Sequence, residues 1–162
     1  VQPMIARQRA HELIVGMIED PQFGPVMLFG HGGTAVEVID DQALALAPLN
    51  MRLAREMMDR TRVIRLLEGY RGMPPADLDA IALTLVKASQ LACDLAEVLE
   101  LDINPLLAGA RGVMALDARV RLRPSARPAA ERLAIRPYPK ELEEKVTLPD
   151  GPELLQIGRA HV

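Results

Sequence analysis

The chain has no tryptophan, and only two phenylalanines and two tyrosines among 162 residues. Any interior it builds must therefore be aliphatic, filled by Leu, Ile, Val, Ala and eight Met. A single cysteine, Cys93, excludes an internal disulfide framework and fits a reducing compartment. There is no basic surplus either. A formal charge of −3 and a pI near 5.6 leave no cationic stripe to neutralise a nucleic-acid backbone. No apolar run is long enough to cross a bilayer. A charged leader followed by an apolar stretch, the mark of a secretory signal, is also missing. The chain opens at Val1 without an initiator Met, so its natural start is expected further upstream. What remains is the composition of a cytoplasmic globular domain, 49% hydrophobic and 25% charged, of a size that buries one core.

Residues 1–48 read as a run of strands. From His11 to Met17, Leu13, Val15 and Met17 fall on one face and Glu12, Ile14 and Gly16 on the other. Pro25–Gly30 is a short apolar run, Thr34–Ile39 alternates again, and Ala43–Ala47 is a third strand stopped by Pro48. The turn Gly30-His31-Gly32-Gly33 lies among them. The middle is helical. Asn50 is placed to cap a helix to about Arg60, with Leu53, Met57 and Met58 inward. A longer helix is expected from about Pro75 to Leu95, because Leu78, Ile81, Leu85, Ala88, Ala92 and Leu95 recur at three- and four-residue spacing. Gly69-Tyr70-Arg71-Gly72 with Pro74-Pro75 reads as the loop between them. Strands Glu100–Leu106 and Gly112–Leu122 follow. Pro124, Pro128, Pro137 and Pro139 then mark a linker, which sets a domain boundary near residue 122 and predicts poor packing beyond it. The fold class is α/β, with a mixed, largely antiparallel sheet covered by helices.

The chemistry concentrates in Glu100-Leu101-Asp102-Ile103-Asn104-Pro105 and Ala115-Leu116-Asp117-Ala118-Arg119. Alternation gathers Glu100, Asp102 and Asn104 on one face of the first strand. On the second, Ala115, Asp117 and Arg119 share a face, with Met114, Leu116, Ala118 and Val120 on the apolar side. If the strands pair antiparallel, carboxylates and amide meet, and a cation between them relieves their repulsion. A few hard oxygen ligands suit Mg²⁺ shared with nucleotide phosphates. A hairpin with a simply solvated polar face is the plain alternative, and alternation alone favours it.

Several ordered stretches add to this: Glu12-Leu13-Ile14-Val15-Gly16, Asp20-Pro21-Gln22-Phe23-Gly24-Pro25-Val26, Phe29-Gly30-His31-Gly32-Gly33, Val36-Glu37-Val38 and Leu67-Glu68-Gly69-Tyr70-Arg71-Gly72. With the two stretches above, they resemble the ATP-grasp domain of ADP-forming acyl-CoA synthetases, the acetate–CoA ligase family, over residues 1–122. The resemblance implies the C-terminal half of an ATP-grasp fold within a longer ligase. That enzyme interconverts acyl-CoA, ADP and phosphate with acid, CoA and ATP through a phosphohistidine. It implies that Asn104 and Asp117, with Asp102 beside them, hold Mg²⁺ against ATP phosphates. Gln2, Pro3 and Met4 match the hinge that contacts adenine, and Glu12 and Glu37 match acidic positions facing the nucleotide. No catalytic residue is assigned to this chain. CoA would be bound by domains outside it, and the partners would be the CoA-binding and N-terminal ATP-grasp portions of the same polypeptide or assembly, an oligomer in the parent protein. No nucleic acid or membrane is expected as a partner. The chain alone would be inactive.

Other residues weigh less. The glycine turn can approach phosphate closely or simply connect strands. Arg71 is equally a phosphate fork or a structural loop residue. His11 is expected on the surface, His31 is not expected to carry phosphate, and Cys93 is expected in the core. After the linker, 123–150, Arg136-Pro137-Tyr138-Pro139 and Leu148–Leu155 resemble the lead-in to a GNAT acetyltransferase, so residues 151–162 would begin a following domain. That supports an alternative function, a catalytically silent ligand-sensing domain of a protein lysine acetyltransferase. The final Ile157-Gly158-Arg159-Ala160-His161-Val162 resembles a translated sequencing adaptor and is expected to be non-native.

Overall fold

A computed structural model describes residues 10–33, 41–135, 143–147 and 153–157. Strands β1 (His11–Asp20), β2 (Gly24–His31) and β3 (Gln42–Leu46) come first. Helices α1 (Met51–Asp59), the single turn α2 (Ile64–Leu67) and α3 (Leu78–Asp94) follow. Strands β4 (Val98–Gly109), β5 (Gly112–Ala115) and β6 (Ala118–Leu122) complete one sheet, ordered β3-β2-β1-β4-β5, with β6 also paired to β4. Every described pairing is antiparallel. A 3₁₀ turn at Ala129–Arg132 and a separate hairpin of β7 (Glu143–Thr147) and β8 (Glu153–Ile157) close the described chain. The expected strand Thr34–Ile39 and residues 158–162 of the suspected tail lie outside the described residues.

The β1–β2 hairpin forms because both strands alternate and Asp20 makes the turn. Its Oδ1 accepts from the backbone N–H groups of Gln22 and Phe23, both at 2.8 Å. Leu13, Val15 and Met17 are buried as expected, and Glu12 and Ile18 are exposed. The buried face meets Met27 and Phe29 of β2, Leu101 and Leu106 of β4, and the inward sides of α1 and α3. The core is aliphatic apart from Phe29, with Met17, Met27, Met57 and Met58 filling the irregular gaps.

Both long helices start where a side chain satisfies a free N–H. Asn50 Oδ1 accepts from Leu53 N–H at 2.9 Å, and Asp77 Oδ1 from Ala80 N–H at 3.0 Å. Two details of the sequence reading change. Helix α3 begins at Leu78, because Asp77 rather than Pro75 is its cap, and Asp77 N–H is donated to the Gly109 carbonyl at 3.0 Å. Leu53 and Leu95 are exposed, at 39% and 46%, and Ala54 takes the inward place in α1. Buried Ser89 on α3 accepts from Leu49 N–H at 2.7 Å, tying α3 to the entry of α1.

The segment after β6 departs from expectation most. Leu133 is only 4% exposed, and the side chain of Arg132 is 10% exposed. Arg132 and Leu133 therefore pack on the domain, against the predicted poor packing, whereas residues 124–128 are exposed in line with it. The reason is chemical rather than periodic: one arginine finds a cluster of carbonyls and a carboxylate.

Candidate magnesium and nucleotide site

Strand β4 changes face partway along. Val15 lies opposite Ile103 and Leu13 opposite Leu106, so Ile14 alone faces Asn104 and Pro105, a β-bulge. The Asn104–Pro105 peptide is cis. Before the bulge Leu101 and Ile103 turn to the core; after it Leu106 and Ala108 do. The partner strands stay in step, since Ile103 pairs with Ala118 and Leu106 with Ala115. Between them Asn104 N–H donates to the Asp117 carbonyl at 3.2 Å, and Leu116 N–H to the Pro105 carbonyl at 3.1 Å. Asn104 and Asp117 are thus directly opposed, as the antiparallel expectation required.

Opposed side chains share a face. Asp102 pairs with Gly16 on one side and Arg119 on the other, and Glu12 pairs with Leu107, itself opposite Met114. Asp102, Arg119 and Glu12 therefore belong to the face turned away from the helices. The bulge corrects the alternation drawn from sequence. Met114 shares the face of Glu12 rather than that of Ala118 and Val120, and Ala115 goes with Leu106 rather than with Asp117.

The glycine turn closes over this face. Gly32 N–H donates to the Glu12 carbonyl at 2.8 Å, and Gly33 N–H to Asn104 Oδ1 at 3.3 Å. Gly33 has φ +85°, and a Cβ there would strike the Glu12 carboxylate. Glu12, Gly33 and Asn104 are therefore one contact group. The Gly33 N–H is already engaged, which the sequence did not reveal. Asp117 stands at the rim, its side chain 53% exposed and 3.3 Å from Arg119. Gln2, Pro3, Met4 and Glu37 lie outside the described residues.

The donor set fits a hard cation. It is all oxygen, from one amide and the carboxylates of Asp102 and Asp117. The long Gly33 bond leaves Asn104 Oδ1 with further acceptor capacity, and the Asp117–Arg119 pair is exposed and weak. Among the described residues no group of three His, Cys, Asp or Glu forms a cage.

Other singled-out residues sort differently. His11 is half-buried rather than on the surface, and burial together with nearby His31 pushes its pKa below the ordinary value. His11 Nε2 and His31 Nδ1 are both buried with no hydrogen-bond partner among the described residues. Cys93 packs beside the core, and burial followed by the Asp94 charge raises its pKa, so it is a poor nucleophile. Arg71 adopts φ +46° between two left-handed glycines and lies 5.2 Å from the Tyr70 ring centroid. Asp41, which sequence reading passed over, accepts from the N–H groups of Arg62 and Val63 at 2.6 and 2.7 Å and so anchors α2. Nothing local in the sequence marks that contact, which spans more than 20 residues.

The ATP-grasp domain model matches residues 1–122. The acetate–CoA ligase (ADP-forming) I of Archaeoglobus fulgidus is 48% identical over 109 residues, 67% of this chain and 16% of that protein. The β subunit of acetate–CoA ligase (ADP-forming) I of Pyrococcus furiosus is 43% identical over 109 residues, 67% of this chain and 47% of that one. The chain thus spans less than half the length of these relatives. Among solved structures, a dinucleotide-forming acetyl-coenzyme A synthetase 1 of Ca. Korarchaeum cryptofilum is 38% identical with a TM-score of 0.69, covering 76% of this chain and 55% of that one. It was solved with coenzyme A and Mg-AMPPCP, its phosphohistidine segment pointing towards the nucleotide-binding site. With a family model matching three-quarters of its length, the chain belongs to the ATP-grasp domain family.

Proposed function

We propose that this chain supplies the magnesium- and nucleotide-binding surface of an ADP-forming acyl-CoA synthetase. The whole enzyme would interconvert acyl-CoA, ADP and phosphate with a carboxylic acid, CoA and ATP. The observation that carries the reading is the direct opposition of Asn104 on β4 and Asp117 between β5 and β6, with Glu12 and Gly33 closing on Asn104. Asn104 and Asp117, with Asp102 alongside, would hold Mg²⁺. The ion neutralises charge on the phosphates during transfer. The protein's own work is placement. The bulge aims Asn104, Gly33 fixes its amide, and the antiparallel register sets Asp117 opposite. Glu12 and Glu37 would border the nucleotide, and backbone groups of Gln2, Pro3 and Met4 would contact adenine.

The remaining parts would come from elsewhere in the polypeptide or assembly: CoA binding, the other half of the nucleotide clamp, and a histidine that carries phosphate. One relative is itself a β subunit, which supports a shared architecture. Among the described residues no helix is long and apolar enough to cross a membrane, and the single cysteine favours the cytoplasm. The test is ATP formation by the complete protein from acetyl-CoA, ADP and phosphate, repeated with other acyl-CoAs. ATP formation that is lost in Asp117→Asn supports the proposal. Nucleotide binding without turnover on any acyl-CoA would instead favour the silent ligand-sensing domain suggested by the acetyltransferase-like stretch after residue 135.

A further inference from the structure

Helix α3 ends without a basic residue in its last turn, which leaves its final carbonyls and the negative end of its dipole unanswered locally. Arg132 answers them from 38 residues away (132 − 94), beyond the end of the family match. Its Nη2 donates to the carbonyls of Ala92 and Leu95, the latter at 3.0 Å. Nη1 donates to the carbonyls of Val98 at 2.8 Å and Ala96 at 3.4 Å, and pairs with Glu19 Oε2 at 2.9 Å. One guanidinium thus joins the end of α3, the start of β4 and the end of β1. Its neighbour Leu133 is buried, and Arg123 N–H donates to the Glu97 carbonyl at 2.8 Å.

The domain is shaped to receive this segment. Gly24, at the start of β2, has φ +69°, and a Cβ there would run into the Arg132 carbonyl. The position therefore needs glycine twice over, once for its backbone angle and once for the approach of the strap.

From these contacts we infer that residues 123–134 are a strap held on this domain at its two ends, by the Arg123 N–H and by Arg132 with Leu133, and exposed over 124–128 between them, rather than a free linker. Within this segment Leu133 is the last buried residue. The chain leaves the domain beside the β1–β2 turn, roughly 24 Å along β2 from the glycine turn at seven residue steps.

Hydrogen exchange by mass spectrometry on the full 162-residue chain tests this. Peptides covering 123–134 should exchange at least about tenfold more slowly than a free peptide in the wild-type chain. Arg132→Ala should bring them to the free-peptide rate, loosen the end of α3 and lower Tm by about 10 °C or more. Gly24→Ala should release the same peptides without touching the arginine. Free-peptide exchange across 123–134 in the wild type would overturn the strap, even if Arg132→Ala failed to fold. So would wild-type exchange and Tm in both variants.

Discussion

Strands β1 and β4 lie side by side, yet their two faces are built to opposite rules. Toward the helices, Leu13, Val15, Met17, Leu101 and Leu106 are sealed into an aliphatic core. On the other face Glu12, Asp102, Asn104 and Asp117 keep their oxygens only lightly engaged among the described residues, through one long hydrogen bond and one exposed ion pair. Stability therefore resides on one face and chemistry on the other, separated by the pleat alone. Mutations on the two faces should separate in the same way.

The largest effect on folding should come from the sealed face. Phe29→Ala or Leu85→Ala should each cost about 3–5 kcal/mol in urea denaturation, because both sites are fully buried. Losses under about 1 kcal/mol would mean that this face is not a packed core. On the open face, Asp117→Asn in the complete protein should lower turnover by roughly 100-fold or more while thermal melting stays unchanged. A melting shift as large as that of a core variant would erase the contrast. Intermediate in size, Asn50→Ala should cost about 1 kcal/mol through the lost cap on α1, read by the same denaturation.

A smaller effect concerns pH. His11 has a lowered pKa in the fold, so above the unfolded value of about 6.5 it is neutral in both states and its contribution is intact. As pH falls below that value the unfolded chain takes up the proton first, and stability declines. Asp41 and His31, close to this end of the sheet, are retained in the test variant. His11→Gln should flatten the stability curve just below about pH 6.5, and an unchanged slope would assign it to other groups. Smallest of all, Arg119→Ala should alter stability by under about 0.5 kcal/mol, because its pair with Asp117 is exposed on both sides.

How far the sequence foretold this follows from which signals are local. Period-two alternation gave β1 and its buried residues, and the caps Asn50 and Asp77 lie three residues from the N–H groups they accept from. The antiparallel pairing of Asn104 with Asp117 was also legible, because a short glycine-bounded turn leaves few other registers. The change of face at Asn104–Pro105 was not, since strict alternation has no place for a bulge, and Met114 and Ala115 were misplaced with it. The strap was missed for the opposite reason. Its prolines signal a linker, while Arg132 and Leu133 form no periodic pattern, and only the folded domain supplies Glu19 and the carbonyls that hold them. Likewise the glycine turn read equally as a phosphate approach or a plain strand connection, and only the fold shows the Gly33 N–H given to Asn104.

The central claim is that the Asn104–Asp117 face holds Mg²⁺ with a nucleotide. Isothermal titration of the complete protein with ADP, with and without Mg²⁺, tests it most directly. Wild-type affinity should rise when Mg²⁺ is present. Asn104→Ala and Asp117→Asn should each remove that gain, by roughly tenfold or more, with melting curves that match the wild type. Magnesium-dependent affinity that is unchanged in both variants would contradict the account.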